Sequence, residues 1–233
     1  QTALMGMSKP MVFDGIDDYL EVADDSTLNI TGTLTLSCWV KRDELGVKHR
    51  LIAKSDDVSP YDGYQLAIGT DNKIDFNATI DGVWDNQESA STIDLNWHHL
   101  VGVYDGSNMY IYIDGAEDVS SSATGSISTN SNALRIGRGA DSSTNYLKGS
   151  INEVSIFSSA LSLAEVQELF NDGVPLDATL HSKAIPTGTG TDYLEGYWRN
   201  DGASTWTDRS ANSNDGTVSG SPDTILLPEG TTT

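Results

Sequence analysis

The chain has 233 residues, enough for one large all-β domain or two small ones, and sets 13 Lys and Arg against 34 Asp and Glu for a formal charge of −21. A field of that sign repels phosphate backbones and anionic lipid, which disfavours nucleic-acid binding; acids spread this evenly either keep a secreted or particle-borne surface soluble or gather cations at particular loops. One cysteine, Cys38, excludes an intrachain disulfide, and no stretch approaches the roughly 18 apolar residues of a membrane span.

The opening QTALMGMSKP has neither the basic region nor the long apolar run of a signal peptide, so an extracellular address would lie elsewhere. FDGIDDYLEV follows, with Asp14, Asp17, Asp18 and Glu21 among large apolar side chains. Two readings stand. Asp14-Gly15 and Asp17-Asp18 suit a turn leading into a strand over Tyr19–Val22 with Glu21 facing solvent. Gathered on one loop, the same carboxylates suit calcium, which takes six to eight oxygens and would need a second loop to complete the set.

In LTLSCWVK the residues Leu34, Leu36, Cys38 and Val40 alternate with Thr35, Ser37, Trp39 and Lys41, so one face is core and Cys38 is a small buried hydrophobe. Strands are predicted at 51–54, 64–69 and 73–79. Asp81-Gly82, Asp105-Gly106 and Asp114-Gly115 each suit the positive φ of tight hairpin loops. ATIDGVWDNQESAST reads as a polar loop holding Trp84, unlike Trp39 and Trp97, which read as packing residues in strands. An exposed indole beside Asp81, Asp85 and Asn86 is equipped to stack on a sugar ring while its neighbours bond the hydroxyls. The strands 97–104 and 109–113 carry bulky side chains on both faces, which marks them as central. Further strands follow at 133–137 and 151–157.

The one convincing helix is SLAEVQELFNDG, with a Ser162/Glu165 capping box, a stripe of Leu163, Val166, Leu169 and Phe170, and Gly173 to end it. Composition changes near Val174. Residues 174–192 read as linker, and 193–233 begin a fresh strand-and-turn pattern.

Catalytic patterns are missing. Glycosidic cleavage needs paired carboxylates, commonly spaced Glu-x-Asp-x-x-Glu on one strand; Glu153 in INEVSIF has no such partner. No Gly-x-Ser-x-Gly motif accompanies the histidines. His98 and His99, adjacent in a strand, point to opposite faces and cannot clamp one metal. No phosphate-cradling loop, zinc pattern or EF-hand register is present. The chain therefore reads as no enzyme.

The ordered series FDGIDDYLEV, LTLSCWVKR, LIAKSD, YQLAIG, NWHHLVGVYDGSNMYIYIDGAE, LRIGR and GSINEVSIFSSALSLAEVQELF resembles the laminin-G-like, concanavalin A-like lectin-glucanase family over residues 11–173. The resemblance implies an all-β fold: two antiparallel sheets stacked as a jelly-roll sandwich over 1–173, one short C-terminal helix, and a β-rich tail. The tail pattern GYW…D.S.N.NDGT ordinarily opens such a unit, so 193–233 are expected either to pack on the jelly roll or to start a second repeat. Relatives that bind calcium at a rim nominate Asp14, Asp17 and Asp18 with Asn152 or Glu153 from the last strand. The expected function is non-enzymatic recognition of a glycan or another cell-surface ligand, with Trp84, Asp81, Asp85 and Asn86 as contacts. The expected setting is an extracellular or virion fibre or adhesin, assembled with copies of itself or other subunits, without nucleic acid or membrane insertion. The alternative is a purely structural decoration or assembly module with no small ligand.

Overall fold

The computed structural model describes residues 10–55, 61–139, 145–184, 193–200 and 205–224. In chain order the strands are β1 (Met11–Asp14), β2 (Tyr19–Val22), β3 (Leu34–Arg42), β4 (His49–Ser55), β5 (Gly63–Ile68) and β6 (Lys73–Ile80). They continue with β7 (Val83–Thr92), β8 (His98–Tyr104), β9 (Asn108–Ile113), β10 (Ala116–Ser122), β11 (Leu134–Ile136) and β12 (Lys148–Phe157). Helix α1 (Leu163–Phe170) separates these from the tail strands β13 (Leu194–Trp198), β14 (Thr205–Trp206), β15 (Gly216–Ser219) and β16 (Asp223–Thr224).

Two antiparallel sheets result, as a jelly-roll sandwich requires. The first runs β10–β9–β8–β3–β12–β1–β16, and the second runs β14–β15–β2–β11–β4–β5–β6–β7. Between them lies one core, into which Leu34, Leu36, Cys38 and Val40 point from β3. They meet Leu66, Ile68, Ile74 and Phe76 of the second sheet. Gly102 permits the close approach, since a Cβ there would stand 2.6 Å from the Phe76 ring.

The other face of the first sheet is also covered, which explains why its central strands are bulky on both sides. Val101, Val103 and Tyr112 pack with Val166 and Leu169 of α1. Trp39 stacks on His99 at 5.2 Å and on Phe170 at 5.7 Å between ring centroids. His98 faces the opposite way, toward Asp94 and Asp114. Trp97 is half-buried just ahead of β8 rather than within a strand. Glu165 accepts the Ser162 N–H at 2.7 Å and starts the helix as expected. It ends earlier than expected, at Phe170, because Asn171 takes the left-handed conformation (φ 45°) before Gly173 is reached.

Tail and sandwich share one core. β12 pairs with β1 along Lys148–Ile151 and with β13 along Val154–Phe157, so the tail strand lies beside β1 on the same edge. Trp198 and Trp206 enter the inter-sheet core, and Tyr197 enters the cluster under α1. Asp208 organises the turn that follows: Oδ1 accepts the Tyr197 N–H and Oδ2 the Asn214 N–H, both at 2.9 Å. The first part of the expected linker is itself packed, with Ala178, His181 and Ala184 buried. Its remainder, 185–192, lies outside the described residues.

Candidate ligand and cation sites

The opening acidic loop folds around its own carboxylates. Asp14 Oδ1 accepts the N–H groups of Ile16 (2.7 Å) and Asp17 (3.3 Å), the side-chain-closed turn that Asp favours. Asp18 is 2% exposed and accepts the Asp14 N–H at 3.0 Å and the Ser221 N–H at 2.7 Å. Asp14, Asp17 and Asp18 each offer an oxygen within 4.8 Å of the other two. Together with Val12, Gly220, Ser221 and Asp223 they line a pocket of about 480 Å³, so the tail supplies its second wall. Burial, reinforced by the Asp14 and Asp17 charges, holds the Asp18 carboxyl above its ordinary range despite two stabilising N–H donors. Clustered hard oxygens with unrelieved repulsion are the donor chemistry that calcium fits.

Asn152 and Glu153 do not join this loop. The register sets Asp14 opposite Lys148, four residues or roughly 13 Å along β12 from Asn152. A bulge between Asn152 and Ser155 puts Glu153 at φ 50°. Both side chains are turned into the protein, where the Tyr197 hydroxyl donates to the Glu153 carboxylate and Asn152 Oδ1 accepts the Asn200 N–H at 3.4 Å. Burial, first, and the Glu153 charge push the Tyr197 hydroxyl up. This pair fixes the tail, a role invisible before the tail's position was known.

Around Trp84 the expected polar loop is instead an edge strand. Asp81 and Gly82, both at positive φ (48° and 80°), close a tight hairpin, and β7 leaves it paired to β6. Trp84 lies across from Thr79, Asn86 from Asn77 and Glu88 from Asp75, so these six share the outer face of the second sheet. Asp85, across from Ala78, belongs to the opposite face. Asp81 braces the turn, its carboxylate accepting the Ser126 N–H at 2.9 Å. Of the four expected contacts, then, Trp84 and Asn86 stand together. Trp84 also has an unforeseen partner: Tyr61, with ring centroids 5.4 Å apart. No periodic signal links Tyr61 to β7, because the pair forms across separate elements.

Two further groups on this sheet matter for chemistry. Asp75 stands opposite Glu88, which Lys73 holds at 2.8 Å, and burial raises the Asp75 carboxyl above its ordinary range. On the other sheet, His98 bridges Asp114 (2.8 Å) and Asp94 (3.0 Å); burial opposes its charge, but the two carboxylates together hold its pKa above the ordinary value. Its neighbour His99, sealed under Phe170, is held down to about 4 by burial.

A laminin-G family model, described as the concanavalin A-like lectin/glucanases superfamily, matches residues 14–167, well over half of the chain. The chain belongs to this superfamily. No curated protein matches it by sequence. Among solved structures, a candidate carbohydrate-binding protein from Bacteroides ovatus superposes with TM-score 0.71 at 17% identity, covering 95% of this chain and 61% of its own. Domain 4 of an extracellular GH43 arabinanase from Geobacillus stearothermophilus, solved with arabinotriose, gives TM-score 0.52 at 21% identity over 68% of this chain and 74% of its own. Domains LG4–5 of the mouse laminin α1 chain give 0.53 at 15% identity over 67% and 44%. At these identities the superfamily likeness concerns the fold, and the chain spans less than two thirds of the Bacteroides protein.

Proposed function

We propose that this domain is a binding module that recognises glycans without turning them over. The observation that carries the reading is the half-exposed Trp84–Tyr61 pair at the edge of the second sheet, with the exposed Asn86 beside Trp84 on β7. An indole presents a flat apolar surface to the C–H face of a sugar, and neighbouring amides bond its hydroxyls. Structural neighbours that include a candidate carbohydrate-binding protein and a domain solved with arabinotriose support the same reading. We place the module on an extracellular or virion surface, and propose that Asp14, Asp17 and Asp18 hold calcium at the rim, with Ser221 and Asp223 beside them.

The test is a glycan array followed by titration of the best hit with wild type and Trp84→Ala. Binding that weakens on substitution supports the platform. A blank array combined with a multimeric mass would favour the assembly role instead. A second reading, glycoside cleavage, draws on Asp75 and Glu88 facing each other on the same sheet. New reducing ends released from a bound glycan, and lost in Glu88→Gln, would favour it.

A further inference from the structure

Arg138 is the oddest cation in the described chain. It follows Gly137 at the end of β11, and the bond from the Leu147 N–H to the Gly137 carbonyl (2.8 Å) brings Tyr146 alongside it. Its guanidinium carbon lies 4.6 Å from the centroid of the Tyr19 ring and 5.5 Å from that of Tyr146. Tyr19 alternates with the core residues Leu20 and Val22 of β2, so its ring stands on the outer face of the second sheet, the face that carries Trp84.

Arg138 is 93% buried by its 7% exposure, and its Nε has no hydrogen-bond partner among the described residues. Among the described residues no carboxylate pairs with it either, although the chain holds 34 acids against 13 bases. Three other arginines are claimed: Arg135 by Glu21 at 2.9 Å, Arg199 by Asp177 at 3.0 Å, and Arg42 by Asn72 Oδ1 at 2.9 Å. A guanidinium withdrawn from water without a counter-ion is costly, and two ring faces attract its charge without satisfying its N–H donors. The planar fork matches a carboxylate, and the flanking rings match the apolar face of a sugar.

We infer that Arg138, walled by Tyr19 and Tyr146, receives the carboxylate of an acidic sugar. The identity of the ligand rests on the glycan reading above. β11 and β7 are separated by four inter-strand spacings, roughly 19 Å, and the ladders set Arg138 about level with Glu88, four residues or roughly 13 Å along β7 from Trp84, so an oligosaccharide touching both sites must span about 23 Å. The net negative charge works against such a ligand at long range, but salt screens that field beyond about 8 Å, leaving the local guanidinium to decide.

The experiment follows the Arg138 Nε–Hε resonance in the full chain during titration with trigalacturonate, sialyllactose and glucuronate. Trigalacturonate methyl ester and lactose serve as neutral counterparts. The free protein should show an unbonded Nε–Hε that at least one acid moves downfield to saturation while the neutral counterparts leave it in place. Arg138→Met keeps an unbranched stem between the rings; with an unchanged melting temperature it should bind that acid at least tenfold more weakly, and Arg138→Lys should recover part of the loss. A hydrogen-bonded Nε–Hε before any ligand is added would show that the chain supplies its own anion and would overturn the inference. So would equal shifts from acid and ester, no movement with any of the three acids, or full acid affinity in Arg138→Met. If a neutral glycan binds through Trp84 while no acid moves Arg138, this site falls and the Trp84 platform stands. If an acid moves Arg138 while Trp84→Ala changes nothing, the platform falls and this site stands.

Discussion

Replacing Trp198 with alanine tests whether the tail is part of the sandwich. Trp198 is fully buried in the inter-sheet core, and its Nε1–H donates to the Asn214 carbonyl at 2.8 Å. Truncating a buried Trp removes apolar contact and leaves a cavity, at a cost of about 3 to 5 kcal/mol. Losing the buried hydrogen bond adds about 0.5 to 1.5 kcal/mol. The sum, about 3.5 to 6.5 kcal/mol, is a large part of the roughly 5 to 15 kcal/mol that holds a domain together. Urea unfolding followed by circular dichroism should show the midpoint falling steeply with the slope unchanged. A loss below about 1 kcal/mol would refute the reasoning, because it would mean that β13 contributes no core and that β12 is complete without it.

Cutting the chain after Gly173 should go further and expose the β12 edge together with the Tyr197 pocket; a shortened protein with unchanged melting and solubility would count against the shared core. Calcium should raise the melting temperature, by about 2.7 kcal/mol of stability at a hundredfold excess over Kd, with reversal by chelator. Asp17→Asn should abolish that shift while sparing the bonds that Asp18 makes to Asp14 and Ser221; identical melting with calcium and with chelator would remove the cation from the rim. Trp84→Ala should cost roughly 1 to 3 kcal/mol in glycan affinity and little in stability, since the ring is only half-buried; a variant that unfolds would make Trp84 core. For His99, whose folded pKa of about 4 lies below its unfolded 6.5, the unfolded state takes up the proton first. Its contribution is therefore full above pH 6.5 and is lost toward pH 4, at up to about 1.4 kcal/mol per pH unit. His99→Phe, which keeps the stack with Trp39, should flatten that slope; an unaltered pH profile would assign acid sensitivity elsewhere.

Period-two patterning made β3, β5, β6, β8 and β9 legible, because a side chain facing the core must be apolar whatever surrounds the sheet. Leu34, Leu36, Cys38 and Val40 show this directly. The capping box of α1 was likewise local chemistry, complete within four residues. β7 was not legible: an edge strand with a solvated outer face needs no apolar alternation, so VWDNQESAST resembles a loop until the Asp81-Gly82 turn and the β6 ladder are in place.

The all-β class, the alternating core, the turns and the acidic loop follow from local chemistry, since each depends on neighbours a few residues away. What those residues meet depends on the packed fold. It separated Asn152 and Glu153 from Asp14 because a bulge and a docked tail strand turn them inward. It brought Tyr61 to Trp84, Ser221 to Asp18, and both Tyr19 and Tyr146 to Arg138. Those meetings span up to 203 residues of chain and are fixed by strand order, for which local spacing carries no code.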